Sequence, residues 1–199
     1  LVFGLLTVTG AWLLAREAFG DRRAAATAAS LVAFHPHFVF MSSVISNDAA
    51  AAAWSTLGLW LAGRTARRGM TWHRSLAMGL IAGCAALTKT SALPLIGLML
   101  TAGLWGDLRH PRDSGKRLTP ITVINLGVMV GTALAVAGWW FIRNARLYGD
   151  PLGLGSHQNT PWGRAELASV IDLLPGIPML LRSFWSSYGW GHVAWPTWL

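Results

Sequence analysis

Apolar residues in this 199-residue sequence are gathered into long runs, and most charged residues lie between the runs. The runs cover residues 1–14, 24–46, 49–63, 76–105 and 121–142. A helix needs roughly 20 apolar residues to cross a hydrocarbon core of about 30 Å. The pattern therefore predicts an all-α fold, a polytopic transmembrane helix bundle. We expect residues 1–199 to be a fragment of one transmembrane domain that begins in mid-span.

The composition agrees with a protein embedded in lipid. Hydrophobic residues make up 53% of the chain, charged residues 12%, and there are twelve tryptophans. Soluble domains typically carry about 25% charged residues. Cys84 is the single cysteine, which excludes an internal disulfide, and no CxxC or HExxH pattern indicates a zinc site.

Basic residues give the chain a net charge of +8 and form three short clusters beside the apolar runs. The clusters are Arg16, Arg22 and Arg23; Arg64, Arg67, Arg68 and Arg74; and Arg109, Arg112, Lys116 and Arg117. They form no continuous stripe and accompany no nucleic-acid-binding motif, so we expect membrane lipid as the partner and no nucleic acid. Because short basic loops stay cytoplasmic, all three clusters should share one side of the membrane.

The run over residues 76–105 should start and end on that basic side, yet it is too short for two full crossings. It predicts two short helices, 76–88 and 91–105, that meet within the membrane near Lys89. An intramembrane lysine costs about 2.5–3.5 kcal/mol on insertion scales, so it needs a bundle interior, a wet cavity or an anion beside it. The alternative is that its long side chain extends to a membrane surface.

Asn47 and Asp48 precede an alanine-rich helix on the predicted outer side. Both residue types favour the N-cap of a helix, and capping alone would explain them. The functional alternative places the Asp48 carboxylate at the outer mouth of the bundle, where it can orient a hydroxyl, assist proton removal or hold a cation. A single acid does not choose among these roles.

The span over residues 121–142 leads to an outer segment, 143–182, and to the start of a further span near 183–199. Arg143 follows a tryptophan pair on the side that the charge rule leaves poor in cations. A guanidinium there suits a phosphate, with ordinary lipid headgroups or Asp150 as the alternative contact. Tyr148 begins a turn of the form YGDP. The aromatic residues beyond 183 favour a membrane-boundary anchor over a sugar site.

Three stretches in this order carry a family resemblance. They are FHPHFVFMSSVISNDAAAAAW, AGCAALTKTSALPL and WWFIRNARLYGDPLG. Over roughly residues 24–155 the chain resembles the GT-C superfamily of polytopic membrane glycosyltransferases, especially the branch similar to protein O-mannosyltransferases and aminoarabinose transferases. The resemblance implies a GT-C-like bundle with a short broken-helix pair and outer-face loops.

The resemblance also implies a chemistry, which is transfer of a sugar from a polyprenyl-phosphate carrier to a glycan, lipid or protein acceptor on the extracytoplasmic side of a bacterial plasma membrane. By this likeness Asp48 is the candidate catalytic residue, and Asn47, Lys89, Arg143 and Tyr148 are candidate substrate-binding residues. A divalent cation is a further candidate. The family's principal acid lies in a first outer loop, which we expect to precede Leu1. The alternatives are a transporter or flippase for a lipid-linked substrate, or a catalytically inactive relative.

Overall fold

The computed structural model describes residues 1–110, 119–155 and 169–186. Its helices are α1 (Val2–Phe19), α2 (Arg22–Ala33), α3 (Pro36–Ser43), α4 (Asn47–Arg68), α5 (Trp72–Thr88), α6 (Pro94–Arg109), α7 (Pro120–Tyr148), α8 (Val170–Leu173) and α9 (Ile177–Ser186). Short 3-10 turns occupy Thr90–Ala92 and Leu174–Gly176. The described part of the chain contains no strand, so the all-α prediction is confirmed.

Three described helices are long and apolar enough to cross a membrane: α1, α7, and α6 together with the turn that begins at Thr90. The last of these, Thr90–Arg109, has 20 residues, so its length does not support the prediction that residues 91–105 form only a short helix that meets its partner within the membrane. The α2–α3 pair would be a fourth span if its two helices act together, although they are bent by 62°. The bend occurs at His35, whose Nδ1 accepts a hydrogen bond from the Phe38 amide and caps α3, with Pro36 at the first helical position. The apolar run over residues 24–46 thus folds as two helices.

Close contacts between helices show the direction in which each one runs. Gly10 and Leu14 of α1 lie beside Thr56 and Gly63 of α4, so these two helices are parallel. In α4, Gly58 contacts Leu95 and Met99, and farther along the backbone Thr65 contacts Gly106, so α6 runs the same way.

Helices α5 and α7 run in the opposite direction to these three and parallel to each other. A Cβ added to Gly79 would lie 2.5 Å from the Met129 carbonyl oxygen, and one added to Gly83 would lie 2.6 Å from Val136 Cβ. Advancing along α5 therefore advances along α7, and the absence of side chains at the two glycines permits the close approach. The bundle has one end formed by the C-termini of α1, α4 and α6, and an opposite end formed by the C-termini of α5 and α7.

The first of these ends, which we call the basic end, gathers the described members of all three basic clusters. Glu17 of α1 accepts hydrogen bonds from Arg64 and Arg68 of α4, at 3.0 Å and 3.1 Å. Arg112, Lys116 and Arg117 of the third cluster lie outside the described residues. The shared location is what the charge pattern predicted for clusters on one side of a membrane.

A buried carboxylate ties three segments together at the basic end. Asp107 of α6 is 3% exposed. Its Oδ1 accepts a hydrogen bond from the Met70 amide at 2.7 Å, and its Oδ2 accepts one from the Thr122 hydroxyl at 2.7 Å. The α4–α5 loop, the end of α6 and the start of α7 therefore share one side chain. Four fully buried methionines fill the interior above it: Met70, Met78, Met99 and Met129.

Candidate functional site

The N-terminus of α4 presents an acid at the end of the bundle opposite the basic end. The helix cap is Ser46, whose hydroxyl accepts a hydrogen bond from the Asp48 amide at 3.1 Å. Asn47 and Asp48 are the first two residues of the helix itself. The capping alternative for Asp48 is therefore wrong, because Ser46 occupies the cap position and its hydroxyl accepts the bond from the Asp48 amide. The Asp48 carboxylate is therefore available for another contact.

The break between α5 and α6 brings Lys89 to the same end. Helix α5 stops at Thr88, and the Thr88 hydroxyl turns back to the Cys84 carbonyl oxygen at 2.7 Å. Lys89 is extended, the turn Thr90–Ala92 follows, and Pro94 opens α6 at its first position. Proline lacks an amide hydrogen and is tolerated at a helix start, so the sequence favours a restart there.

An ion pair and a hydrogen bond join these two segments. Lys89 Nζ forms an ion pair with Asp48 Oδ1, and Asn47 Nδ2 donates a hydrogen bond to the Thr88 carbonyl oxygen at 3.1 Å. Each contact spans 41 residues of sequence. The amide of Asn47 satisfies a carbonyl that the end of α5 leaves without a helical partner. The two contacts fix the broken-helix tip of α5–α6 against the start of α4.

The ion pair remains open to its surroundings. The Lys89 side chain is 41% exposed and that of Asp48 is 34% exposed. An ammonium group has three hydrogen-bond donors, and Asp48 takes one of them. Asp48 Oδ2 has a weak contact, at 3.4 Å, with the Ser46 hydroxyl. Both groups therefore have capacity for a further ligand, which a fully enclosed salt bridge would lack.

Arg143 and Tyr148 lie near the C-terminus of α7, and the parallel packing of α5 and α7 places them toward the same end of the bundle. Neither makes a hydrogen bond or ion pair with Asp48 or Lys89 among the described residues. The Arg143 guanidinium carbon lies 5.3 Å from the centre of the Trp140 ring, and Tyr148 is 68% exposed. The structure thus pairs Asp48 with Lys89, joins Asn47 to the neighbouring Thr88, and, over the stretches that it describes, shows no such contact for Arg143 or Tyr148.

Asp150 is occupied by its own turn. Its carboxylate accepts hydrogen bonds from the amides of Leu152 and Gly153 at 3.0 Å and of Gly155 at 2.6 Å. These bonds, that from Gly155 foremost, hold the pKa of Asp150 below its ordinary value. No ion pair joins it to Arg143 within the described ranges. Contact with Asp150 therefore does not account for that arginine. The predicted turn lies later than YGDP, because Tyr148 ends α7, Gly149 is its left-handed C-cap, and the hydrogen-bonded turn covers residues 150–153.

Several buried polar residues of the bundle escaped the sequence argument, among them Asn144 and Asp107. Asn144 follows Arg143 on α7 and is 8% exposed. Its neighbour Arg143 drew attention by its charge, while an asparagine in a helix gives no comparable signal. Asp107 had a signal, since it is an acid at the end of an apolar run and beside a basic cluster. An acid at that location is easily taken for a partner of the surface arginines.

The residues that the structure describes contain no group of three histidine, cysteine, aspartate or glutamate side chains that would hold a metal ion. Asp48 with Asn47 and Ser46 offers one carboxylate and neutral oxygens. The divalent cation stays a prediction.

Comparison with known families matches residues 1–140 to one described as dolichyl-phosphate-mannose-protein mannosyltransferase. Comparisons with curated proteins and with solved structures give no match. The matched range contains α1 to α6 and most of α7, including Asn47, Asp48 and Lys89 but not Arg143 or Tyr148. The chain is a multi-pass membrane protein, and it belongs to the dolichyl-phosphate-mannose-protein mannosyltransferase family of mannosyltransferase-like membrane glycosyltransferases.

Proposed function

We propose that the protein transfers a sugar from a polyprenyl-phosphate carrier to an acceptor hydroxyl on the extracytoplasmic side, with the Asp48–Lys89 pair at the reaction site. The observation that carries the proposal is the location of this pair. It lies at the end of the bundle opposite the arginine clusters, where loop charge predicts the non-cytoplasmic side. The family supplies the reaction class, and the pair supplies an anion-binding group where a lipid phosphate would lie.

Lys89 is the proposed phosphate ligand. Asp48 holds the ammonium at the tip of the α5–α6 break and leaves two of its donors for oxygen atoms of a phosphate. As the bond between the sugar and the carrier breaks, negative charge grows on the departing phosphate. A cation held in place beside the departing oxygen stabilises that charge without having to reorganise as the bond breaks. Arg143 is a second candidate for this phosphate, because the Trp140 ring supports its guanidinium on the same side of the bundle.

Asp48 is proposed to act on the acceptor as well as on Lys89. Its Oδ2 has only the weak contact with the Ser46 hydroxyl, so that oxygen can accept a hydrogen bond from the acceptor hydroxyl. The hydroxyl oxygen would then attack the anomeric carbon, and the carbon–oxygen bond to the phosphate would break. The hydroxyl proton would pass to the carboxylate that the family resemblance implies in the first outer loop. Asn47 keeps the two segments in register, and Tyr148 is a candidate sugar contact.

Lys89→Gln tests the proposal directly. The full-length protein is reconstituted with a lipid-linked sugar, and sugar transfer and release of carrier phosphate are both measured. Loss of a single charge-stabilising donor commonly lowers kcat by about 10²–10³-fold. We expect a loss of that order for Lys89→Gln, a smaller loss for Lys89→Arg, and a loss for Asp48→Asn.

Arg23→Gln is the matched control, since it removes one positive charge from the opposite end of the bundle. Unchanged turnover in Lys89→Gln would remove Lys89 from the reaction. If carrier binding depended on Lys89 while no carrier phosphate was ever released, the transporter alternative would replace the enzyme.

A further inference from the structure

A groove on the outside of the bundle runs between α4 and α6, far from the Asp48–Lys89 pair. It has a volume of about 460 Å³ and is lined by Leu59, Ala62, Gly63, Leu98, Thr101, Ala102 and Trp105. Its base is formed by small residues, and its sides by larger ones. Trp105 is 52% exposed, Leu98 44% and Leu59 39%, so the groove is open to the surrounding medium.

A cation lies just beyond the basic end of this groove. Arg109, one helical turn after Trp105, has its guanidinium carbon 4.7 Å from the centre of the Trp105 ring. The neighbouring acid, Asp107, is directed inward to Met70 and Thr122. Across the described residues no carboxylate forms an ion pair with Arg109. The Trp105 ring therefore holds the Arg109 guanidinium at the basic end of the apolar groove.

The dimensions of the groove favour a lipid chain over a helix. Residues 98–105 of α6 extend about 10 Å along the helix axis, since each residue advances 1.5 Å. That is less than half of a hydrocarbon core of about 30 Å, within a single leaflet. A spanning helix packed here would need a contact surface along the full depth of the membrane. An acyl chain needs only one leaflet, with its polar headgroup at the end where Arg109 lies.

We infer that this groove binds one anionic membrane phospholipid. The acyl chain lies against Ala62 and Ala102, Trp105 packs along it near the headgroup, and Arg109 contacts the phosphate. Basic pockets between transmembrane helices commonly bind anionic headgroups, and Arg contacts phosphate oxygens in a bidentate manner. The Thr101 hydroxyl already donates to the Leu98 carbonyl oxygen at 2.8 Å, so the groove wall is apolar.

Binding is measured on the full-length protein by native mass spectrometry after titration with phosphatidylglycerol or phosphatidylcholine. We expect Arg109→Gln to weaken phosphatidylglycerol binding about fivefold, the effect of one juxtamembrane arginine. Phosphatidylcholine binding should weaken less, because the choline cation already balances the charge of that lipid's phosphate. Thr101→Phe fills the groove from an exposed position without entering the core, and should weaken both. Arg23→Gln is the matched control, because it removes the same charge from α2, which does not line the groove.

A second measurement locates the bound lipid by fluorescence. Its only substitution, Trp105→Phe, replaces one exposed aromatic side chain by another. Phosphatidylglycerol brominated on its acyl chain quenches nearby tryptophan fluorescence, and we expect Trp105→Phe to remove a saturable component of that quenching. Equal effects of Arg109→Gln and Arg23→Gln would reduce the binding to general surface charge and overturn the inference. So would phosphatidylglycerol binding that is insensitive to Thr101→Phe.

Discussion

Replacing Asp107 tests whether the basic end of the bundle depends on one buried carboxylate. In Asp107→Ala, the Met70 amide and the Thr122 hydroxyl would each lose a partner 2.7 Å away. Met70 is 0% exposed and Thr122 is 2% exposed, so water does not easily replace that partner. Leaving a buried polar group unsatisfied costs about 1–3 kcal/mol. Two such groups give an expected destabilisation of about 2–6 kcal/mol.

Asp107→Asn is the informative companion variant. The amide keeps one carbonyl oxygen for the Met70 amide. The Thr122 hydroxyl can rotate to accept a hydrogen bond from the new NH₂ group, because Thr119 Oγ1 lies 3.2 Å from it and can accept the hydrogen bond that the hydroxyl donates. The geometry is retained and the charge is lost, so we expect a cost of only about 1 kcal/mol.

Thermal unfolding in detergent, followed by tryptophan fluorescence, distinguishes the two variants. At about 2–4 °C per kcal/mol for a chain of this size, Asp107→Ala should lower Tm by about 10 °C and Asp107→Asn by about 3 °C. Thr122→Val, which removes the hydroxyl that donates to Asp107 Oδ2, should fall between them. Equal losses in the alanine and asparagine variants would show that charge, not hydrogen-bond geometry, is what the site requires. A fall in Tm of less than 2 °C for Asp107→Ala would show that the hydrogen bonds to Met70 and Thr122 do not stabilise the bundle as expected.

Two further predictions concern helix packing and pH. Gly79→Ala should destabilise the bundle by about 2 kcal/mol, because the new Cβ would press on the Met129 carbonyl oxygen. Gly127→Ala, at a position with open space, should be neutral or stabilising. Comparing the Tm values of the two variants tests the α5–α7 contact, and equal values would contradict it. The Asp150 turn should persist above the carboxyl's ordinary pKa of 3.8 and open as pH falls through its lowered value, since the deprotonated form accepts the backbone bonds. The amide resonance of Gly155 should therefore shift with a midpoint below 3.8, and a midpoint at or above that value would refute the assignment.

The helical membrane bundle, and the location of its basic clusters at one end, could be predicted from local patterns. Runs of apolar residues need lipid or a protein core around them. The positions of the arginine clusters beside those runs were enough to predict that the clusters share one side of the membrane. Lys89 stood out for the same reason, because a lone charge among apolar neighbours is costly. The turn after Tyr148 was equally local, since glycine and proline set the backbone there.

Contacts over long sequence distances were beyond this kind of argument. Ser46, Asn47 and Asp48 are all good capping residues, and only the folded chain shows that the serine caps while the aspartate pairs with Lys89. Likewise Asp107 resembles a surface acid until the α4–α5 loop and the start of α7 pack beside it.

The sequence by itself determined that this chain is a membrane-embedded helical protein with cations at fixed places along it, because hydrophobicity and charge act on each segment separately. The tertiary structure decided which of those polar groups meet. Pairing depends on helix direction and rotation, and these are set by side-chain packing between segments tens of residues apart. The close approach of α5 to α7 at two glycines, and the pairing of Asp48 with Lys89 across 41 residues, are results of that packing.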